Sequence, residues 1–515
     1  VLGHEVVLAT WAGISFMLGH RYLRRLRSRF VSSTAMRHRE PIIVFGAGGG
    51  AYRAIKAMQS SKNGTYRPVA LLDDDPRKKN VRIAGLRVEG TFTDLARVAH
   101  HHRAHAVLIA IPSASGKLLR QFNTFATMSG LETLIMPPVQ RLVGAGSTQE
   151  FTRYRDEDVL NRRIVDIDTT AVQQLVAEAT VLVTGAGGSI GSELVRQLVA
   201  LEPHKVVVVD RDDSLLHHLI ASVPADLRHL CAVELVDIRD VDRLEEVFAA
   251  HQPQVVFHAA ALKHVPALEA APGEGWKTNV IGTSNVINAC MHNKVVRFVN
   301  ISTDKAADPV NVLGFTKRIA ERLTAAAART NHMPYVSVRF GNVIGSRGSA
   351  VETFEAQIQA GGPLTVTHPD VTRYFMSVRE AVRLTMQAAT IGRPGEALVL
   401  DMGTPVRVLD VARQLIEQSG REIEIEYTGL RPGEKLHEVL LSTGESSSRP
   451  FHPMIDHVSV PFLYIRHGLD ACAEAGTSPT TTGGLEVMAL CTARDDRATV
   501  RPTDQVSWKG SMREV

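Results

Sequence analysis

The chain has 515 residues, of which 44% are hydrophobic and 22% charged, and its formal net charge at pH 7 is +4. The length is too great for one ordinary core, so two or three domains are expected, and the composition excludes a disordered chain. The charge is too small to indicate a nucleic-acid partner. Cys231, Cys290, Cys472 and Cys491 show neither CxxC spacing nor a His-rich neighbourhood. Neither a zinc site nor a disulfide framework is expected, no metal of any kind is implied, and the cysteine usage suits a reducing compartment.

In chain order, Val6–Gly19 is almost wholly apolar and is followed at once by Arg21, Arg24, Arg25, Arg27 and Arg29. Residues 1–30 therefore read as the end of a membrane helix with a cytoplasmic basic flank, which would place the protein at the inner (cell) membrane with its catalytic part cytoplasmic. His4 and Glu5 shorten the apolar run below the roughly 20 residues a spanning helix needs, so an amphipathic or core helix is the other reading. Beginning at Val1, the chain reads as a fragment that has lost earlier segments.

Residues 42–51, IIVFGAGGGA, form a buried-strand run entering a glycine turn. Helix-compatible sequence follows, then VALLDDD ending its apolar run at Asp73, and later AVLIAIPSAS at 106–115. Strands alternating with helices predict a parallel sheet over residues 40–145. Gly46, Gly48 and Ala51 fit GxGxxA with Asp73 in the ribose-binding role. No evident catalytic group follows, so a nucleotide site and a purely structural domain both stay open. Residues 146–178 are polar and charged and suit a linker or docking segment.

The pattern then restarts. Val181–Gly191 (VLVTGAGGSIG), Val206–Asp210 (VVVVD), Val255–Ala261, Val296–Thr303 and Tyr335–Phe340 predict a second parallel sheet within residues 179–460. The expected fold is α/β, with two doubly wound parallel-sheet, Rossmann-like domains, the second carrying a C-terminal substrate lobe from about residue 342. Gly185, Gly188 and Gly191 form GxxGxxG between a strand and a helix. There the backbone can turn tightly and approach a pyrophosphate lying at the helix N-terminus, where Ser189 and Ile190 stand. Asp210, nineteen residues after Gly191 at the end of the next strand, can bind the adenosine ribose and favours NAD over NADP, although Arg211 follows it. Asp237, Ala259 and Ala260 are further cofactor-lining candidates. From residue 461 to 515 the period fails, and AGTSPTTTGG marks a disordered or unassignable tail.

Five stretches stand in one order and spacing: TGAGGSIGSELVRQ (184–197), FHAAALKHVP (257–266), ISTDKAADPVNVLGFTKR (301–318), RFGNVIGSRGS (339–349) and GLRPGEKLHE (429–438). On these the chain resembles the extended short-chain dehydrogenase/reductases, and among them the membrane-anchored nucleoside-diphosphate-sugar 4,6-dehydratases of bacterial polysaccharide biosynthesis. The resemblance implies an NAD-dependent hydro-lyase that oxidises the sugar at C4, eliminates water across C5 and C6, and returns the hydride to C6. UDP-N-acetylglucosamine is the implied substrate and the 4-keto-6-deoxy sugar the product. A homo-oligomer is also implied.

Residue by residue, the resemblance implies Lys305 as the C5 base, Asp304 as the C6 proton donor, Thr303 as a residue orienting the sugar and Lys317 as the holder of the nicotinamide ribose. Burial beside the cofactor is expected to favour the neutral forms of both Lys305 and Asp304. The YxxxK tyrosine of short-chain dehydrogenases is replaced by Leu313, so the 4-hydroxyl proton must go elsewhere, to Asp304 or Lys305. Asn342, Arg347 and Arg431 match positions near the sugar diphosphate, where arginine suits phosphate. Lys263 and His264 fall close to where the nicotinamide should lie, with Lys263 a substrate candidate. A nucleotide-sugar 4-epimerase and a catalytically silent NAD-binding regulator of polysaccharide assembly are the alternatives. The epimerase normally needs the missing tyrosine, and the silent protein has no need of Asp304 and Lys305.

Overall fold

A computed structural model describes residues 39–61, 65–111, 129–135, 152–153 and 167–464, together with residues 122, 125, 126, 488, 489 and 492. The apolar segment with its arginine flank, most of the expected linker and most of the expected tail lie outside the described residues. Among the described residues no helix is long and apolar enough to cross a membrane, and no group of His, Cys, Asp and Glu could hold a metal ion.

The chain divides into two compact units, residues 1–162 and 163–515. In the first unit the strands are β1 (Glu40–Phe45), β2 (Tyr66–Leu72), β3 (Arg82–Ile83), β4 (Leu86–Gly90), β5 (Ala106–Ile109), β6 (Glu132–Ile135) and β7 (Thr152–Arg153), in the sheet order β3-β4-β2-β1-β5-β6-β7. β4, β2, β1, β5 and β6 run parallel to one another, and the short edge strands β3 and β7 pair antiparallel with β4 and β6. Ile42 to Phe45 and Ala106 to Ile109 are buried throughout, because helices cover both faces of a parallel sheet.

The second unit repeats the plan on a larger scale. Its parallel strands are β8 (Thr180–Thr184), β9 (Lys205–Asp210), β10 (Cys231–Leu235), β11 (Val255–His258), β12 (Arg297–Ile301) and β13 (Tyr335–Arg339), arranged β10-β9-β8-β11-β12-β13. Beyond β13 come Glu396–Leu400 and then the antiparallel strand Ile455–Ser459. This is the doubly wound Rossmann order, whose direction of winding reverses between β8 and β11. Ligands of such sheets bind outside the carboxyl ends of the strands at that reversal. The valine-rich runs of β8 and β9 are buried on both faces, so their β-branched side chains fit the pleat while leaving no polar face to solvate.

Helix Val312–Asn331 is buried over most of its length. Asn311 caps it by accepting a hydrogen bond from the Gly314 amide at 2.7 Å. The helix's Arg318 and Glu321 belong to a buried ion-pair cluster: Glu321 accepts from Arg318 at 3.0 Å and from Arg339 at 2.8 Å, and Glu445 accepts from the same two arginines at 2.7 and 2.9 Å. Arg322 donates to the carbonyls of Pro461 and Phe462 at 3.1 Å each.

Two expectations change at the edges of this unit. Helix Thr169–Val176 lies in the stretch read as a linker, yet Val172 and Val176 are buried in the unit's core. At the other end the packed chain runs past residue 460, with Phe462 and Leu463 buried. The segment Pro461–Tyr464 has no strand or helix period for sequence reasoning to detect, because side-chain donors from Arg322 satisfy its carbonyls instead of a ladder.

Candidate active site

The glycine turn between β8 and helix Ser189–Val199 is built for a close-lying ligand. Gly185 has φ +64°, and a Cβ there would meet the Ala260 backbone at 2.6 Å. A Cβ on Gly191 would run into the Gly185 carbonyl oxygen. The cradle is thus closed to side chains and open to a phosphate, whose charge the helix N-terminus favours. Asp210 at the end of β9 accepts from the Gly187 amide at 2.9 Å and from the Asp212 amide at 3.1 Å, so one carboxylate braces the turn. On the opposite side Ala259 donates its amide to the Thr184 carbonyl at 3.1 Å, which sets Ala259 and Ala260 against Gly185. The turn, its acidic neighbour and the sheet reversal together fit a dinucleotide, and the acidic residue suits NAD.

Asp237 is held by Arg239 at 2.6 Å and lies 3.8 Å from Arg211. Burial opposes its charge, yet hydrogen bonds from Arg239 outweigh that and keep the carboxyl below its ordinary range. Ile190 packs against the core beneath the turn. Ser189 Oγ accepts from the Arg347 amide at 3.1 Å, and the Arg347 guanidinium donates to the Gly187 carbonyl. Arg347 therefore leans on the cofactor turn, a position its RFGNVIGSRG context did not foretell. Lys263 donates to the Arg347 carbonyl at 2.7 Å, and burial, then the Arg347 charge, lowers its pKa. His264 is lowered by burial as well.

At the carboxyl end of β12 the chain makes a tight 3-10 turn, Asp304–Ala306. Ser302 and Asp304 donate their amides to the carbonyls of Val338 and Phe340, at 2.7 and 2.9 Å, so the neighbouring chain fixes the turn. Thr303 Oγ1 donates to Asp304 Oδ1 at 2.9 Å and accepts from the Lys305 amide at 3.5 Å. Asp304 is fully buried. Lys305 Nζ donates to Asp304 Oδ1 at 3.0 Å and to Asn342 Oδ1 at 3.2 Å, and lies 3.6 Å from Glu438 Oε1. Asp304 Oδ2 is buried without a hydrogen-bond partner.

The electrostatics of Lys305 overturn one expectation. Burial does disfavour its charge, but Asp304 and then Glu438 outweigh burial, and the net shift of its pKa is upward. Lys305 thus enters the site as a cation held by two carboxylates. Sequence reasoning missed Glu438 as a site residue, although it closes the quoted motif GLRPGEKLHE. Only the packing of that segment against the turn after β12 reveals it.

Lys317 is buried and donates to the Ile301 carbonyl at 2.7 Å; burial pushes its pKa down to about 8, against the pull of Glu321. Beside it, His258 accepts or donates between Thr184 Oγ1 at 2.7 Å and Thr283 Oγ1 at 2.9 Å, and burial drives its pKa to about 3, so the ring is neutral. Leu313, four residues before Lys317 on the same helix face, is buried in the core. Arg431 is exposed, and its amide donates to Glu434 at 3.2 Å. Its contacts do not join it to Asp304 or Lys305.

The first unit carries a parallel arrangement. Gly46 has φ +95°, and Asp73 accepts from the Ala47 amide at 2.6 Å and from Lys78 Nζ at 2.9 Å. A cavity of about 400 Å³ is lined by Gly46, Gly48, Asp73, Lys78 and Ile111 among others. The Asp73–Lys78 pair borders it, with its lysine more exposed than the lysine of the Asp304–Lys305 pair.

Residues 181–459 match a family model described as polysaccharide biosynthesis protein, and residues 5–137 match one described as a CoA-binding domain. The capsular polysaccharide biosynthesis protein CapD of Staphylococcus aureus is 38% identical over 464 residues, covering 88% of this chain and 77% of that protein. The chain belongs to the polysaccharide biosynthesis protein family. The probable polysaccharide biosynthesis protein EpsC of Bacillus subtilis is 37% identical over 440 residues, covering 84% of this chain and 74% of that protein. Among solved structures, Pen from Bacillus thuringiensis matches with a TM-score of 0.53 at 33% identity, covering 56% of this chain and 90% of that one. Homology and site chemistry agree on a sugar-modifying enzyme on a Rossmann scaffold.

Proposed function

We propose that this family member is an NAD-dependent nucleoside-diphosphate-sugar 4,6-dehydratase that acts on UDP-N-acetylglucosamine, at a membrane reached through residues 1–30. The observation carrying the reading is the buried pair Asp304–Lys305 at the carboxyl edge of β12, with Lys317 and the glycine turn on the same edge of the sheet. A nicotinamide cofactor held by Gly185, Gly188, Gly191, Asp210 and Lys317 would supply the hydride chemistry at C4 and C6.

The chain's own residues supply the proton chemistry. Asp304 has a free carboxylate oxygen with which to take the 4-hydroxyl proton, and the same proton can then protonate the departing C6 hydroxyl. Lys305 removes the C5 proton once its amine is neutral and can return it to C5 as the product forms. Thr303 holds Asp304 Oδ1 and leaves Oδ2 for the sugar. Leu313 offers no proton acceptor, so it fills space where a tyrosine would act. The test is to incubate the protein with UDP-N-acetylglucosamine and measure the product mass. Loss of one water supports a dehydratase, whereas an isomeric product of unchanged mass supports the epimerase alternative.

A further inference from the structure

Glu438 has no place in the scheme above, yet its setting is costly. Its side chain is 2% exposed, and Oε2 is buried without a hydrogen-bond partner. Lys435 Nζ lies 4.0 Å from Oε2 but donates to the Ala307 carbonyl at 2.9 Å. A buried carboxylate left unsolvated is unfavourable unless paired, and the group that Glu438 Oε1 faces is the Lys305 amine at 3.6 Å. Lys305 is thus flanked by two carboxylates, Asp304 and Glu438.

Resting on the dehydratase reading, the proton count gives that arrangement a purpose. Oxidation at C4 releases one proton from the hydroxyl, and elimination removes a second from C5 while returning one to the leaving oxygen. With Leu313 in the tyrosine position, Asp304 takes the hydroxyl proton. Lys305 still holds its own, and cannot remove another until that proton has somewhere to go.

We propose that Glu438 is a positioning residue that accepts the Lys305 proton and so frees the amine to act at C5. The cycle balances. Lys305 starts with its proton, and Asp304 and Glu438 each accept one proton in turn. The C4 hydroxyl gives its proton to Asp304, and Lys305 passes its proton to Glu438. Neutral Lys305 then breaks the C5–H bond, and Asp304 protonates the C6 oxygen as the C6–O bond breaks and water leaves. As the product forms, Lys305 gives its proton to C5, and Glu438 hands its proton back to Lys305. No proton is gained or lost over the turnover.

The charged groups facing this cluster are Asp304, Lys435 and Arg373, the last paired with Glu434 at 2.8 Å. None of the cations is placed to replace Glu438 as an acceptor, since a protonated amine or guanidinium has no lone pair to offer.

The experiment compares the full chain with Glu438→Gln and Glu438→Asp across pH, reading kcat, KM for UDP-N-acetylglucosamine and solvent-deuterium entry at C5. Glu438→Gln should lose about 10²-fold in kcat at neutral pH, with KM within about twofold. The loss should shrink as pH rises toward the alkaline range, where Lys305 can release its proton to solvent. Glu438→Asp should recover part of kcat and show the same pH trend at smaller amplitude. An unchanged profile in Glu438→Gln, or an equal loss at every pH, overturns the role. If Glu438→Gln fails to fold, Glu438→Asp decides: a pH-dependent loss sustains the proposal and a flat one ends it. A wild-type chain that eliminates no water overturns the dehydratase reading and this role together. Water loss by the wild type beside an unaltered glutamine variant overturns the role of Glu438 alone.

Discussion

Lys305 Nζ lies 3.0 Å from Asp304 Oδ1, and these neighbours in sequence form an ion pair in which Asp304 has no exposed surface. A tight turn after a buried strand projects both side chains to the same side, where the next strand's backbone fixes them. The pair therefore needs no long flexible segment to assemble, and its geometry is set by the sheet.

Asp304→Asn should fold and bind nucleotide sugar but eliminate no water. Asparagine keeps the shape and the hydrogen bond from Thr303 while losing the acid. The expected fall in kcat is at least about 10²-fold with little change in KM. Product mass after incubation with UDP-N-acetylglucosamine checks it, and near-wild-type turnover would sink the assignment.

Lys305→Met and Leu313→Ala should part company in solvent-deuterium exchange at C5. Methionine keeps the stem and loses the amine, so the recovered sugar should carry no label. Leu313→Ala opens a space in a buried helix face at a stability cost of about 2–5 kcal/mol but removes no proton acceptor. Its product should be labelled, at reduced rate. Full exchange in the lysine variant would assign the base to another group.

Asp210 should make the site prefer NAD, and cofactor released from denatured protein should be NAD by mass. Finding NADP alone would show the reading of the β9 terminus to be mistaken. Asp210→Ala removes the acceptor of the Gly187 amide as well as the ribose partner. Losing a charged hydrogen bond costs about 1.5–3 kcal/mol, roughly a tenfold to hundredfold weaker Kd for added NAD. Calorimetric titration measures that change directly.

The second sheet was legible because β8 and β9 are uninterrupted β-branched runs and because GxxGxxG falls between a strand and a helix. The placing of the Asp304–Lys305 turn was legible for the same reason: both residues follow a strand immediately, and local order suffices. Glu438 was not, since its neighbour Lys305 comes from a distant part of the chain and nothing local distinguishes it from a solvated charge. The sense of the Lys305 shift failed because burial alone lowers an amine's pKa, whereas here Asp304 first and Glu438 second outweigh it. Arg347 matched a motif, yet its contact with the glycine turn depends on how the 345–349 loop folds back. Thr169–Val176 was hidden by its polar surroundings, only two of its residues being fully committed to the core.

Arg339 should govern the acid stability of the second unit. It is fully buried between Glu321 at 2.8 Å and Glu445 at 2.9 Å. Burial opposes the charge on Glu445, but hydrogen bonding and attraction from Arg339 prevail and hold its pKa at about 2. Glu321 is lowered for the same balance of causes. A depressed carboxylate binds fewer protons folded than unfolded. Its stabilising contribution is therefore complete above the ordinary value of 4.5 and is lost as pH falls from there toward about 2. Arg339→Met leaves both carboxylates buried with only Arg318 between them, and should cost about 3–5 kcal/mol at neutral pH. As pH falls through the window from 4.5 to about 2 the carboxylates take up protons, so the gap between variant and wild type should narrow. Amide exchange along helix Val312–Asn331, measured at pH 7 and again in that acid window, reads the effect in this unit. A gap that stays constant across the window would mean that Arg339 stabilises by packing rather than by charge.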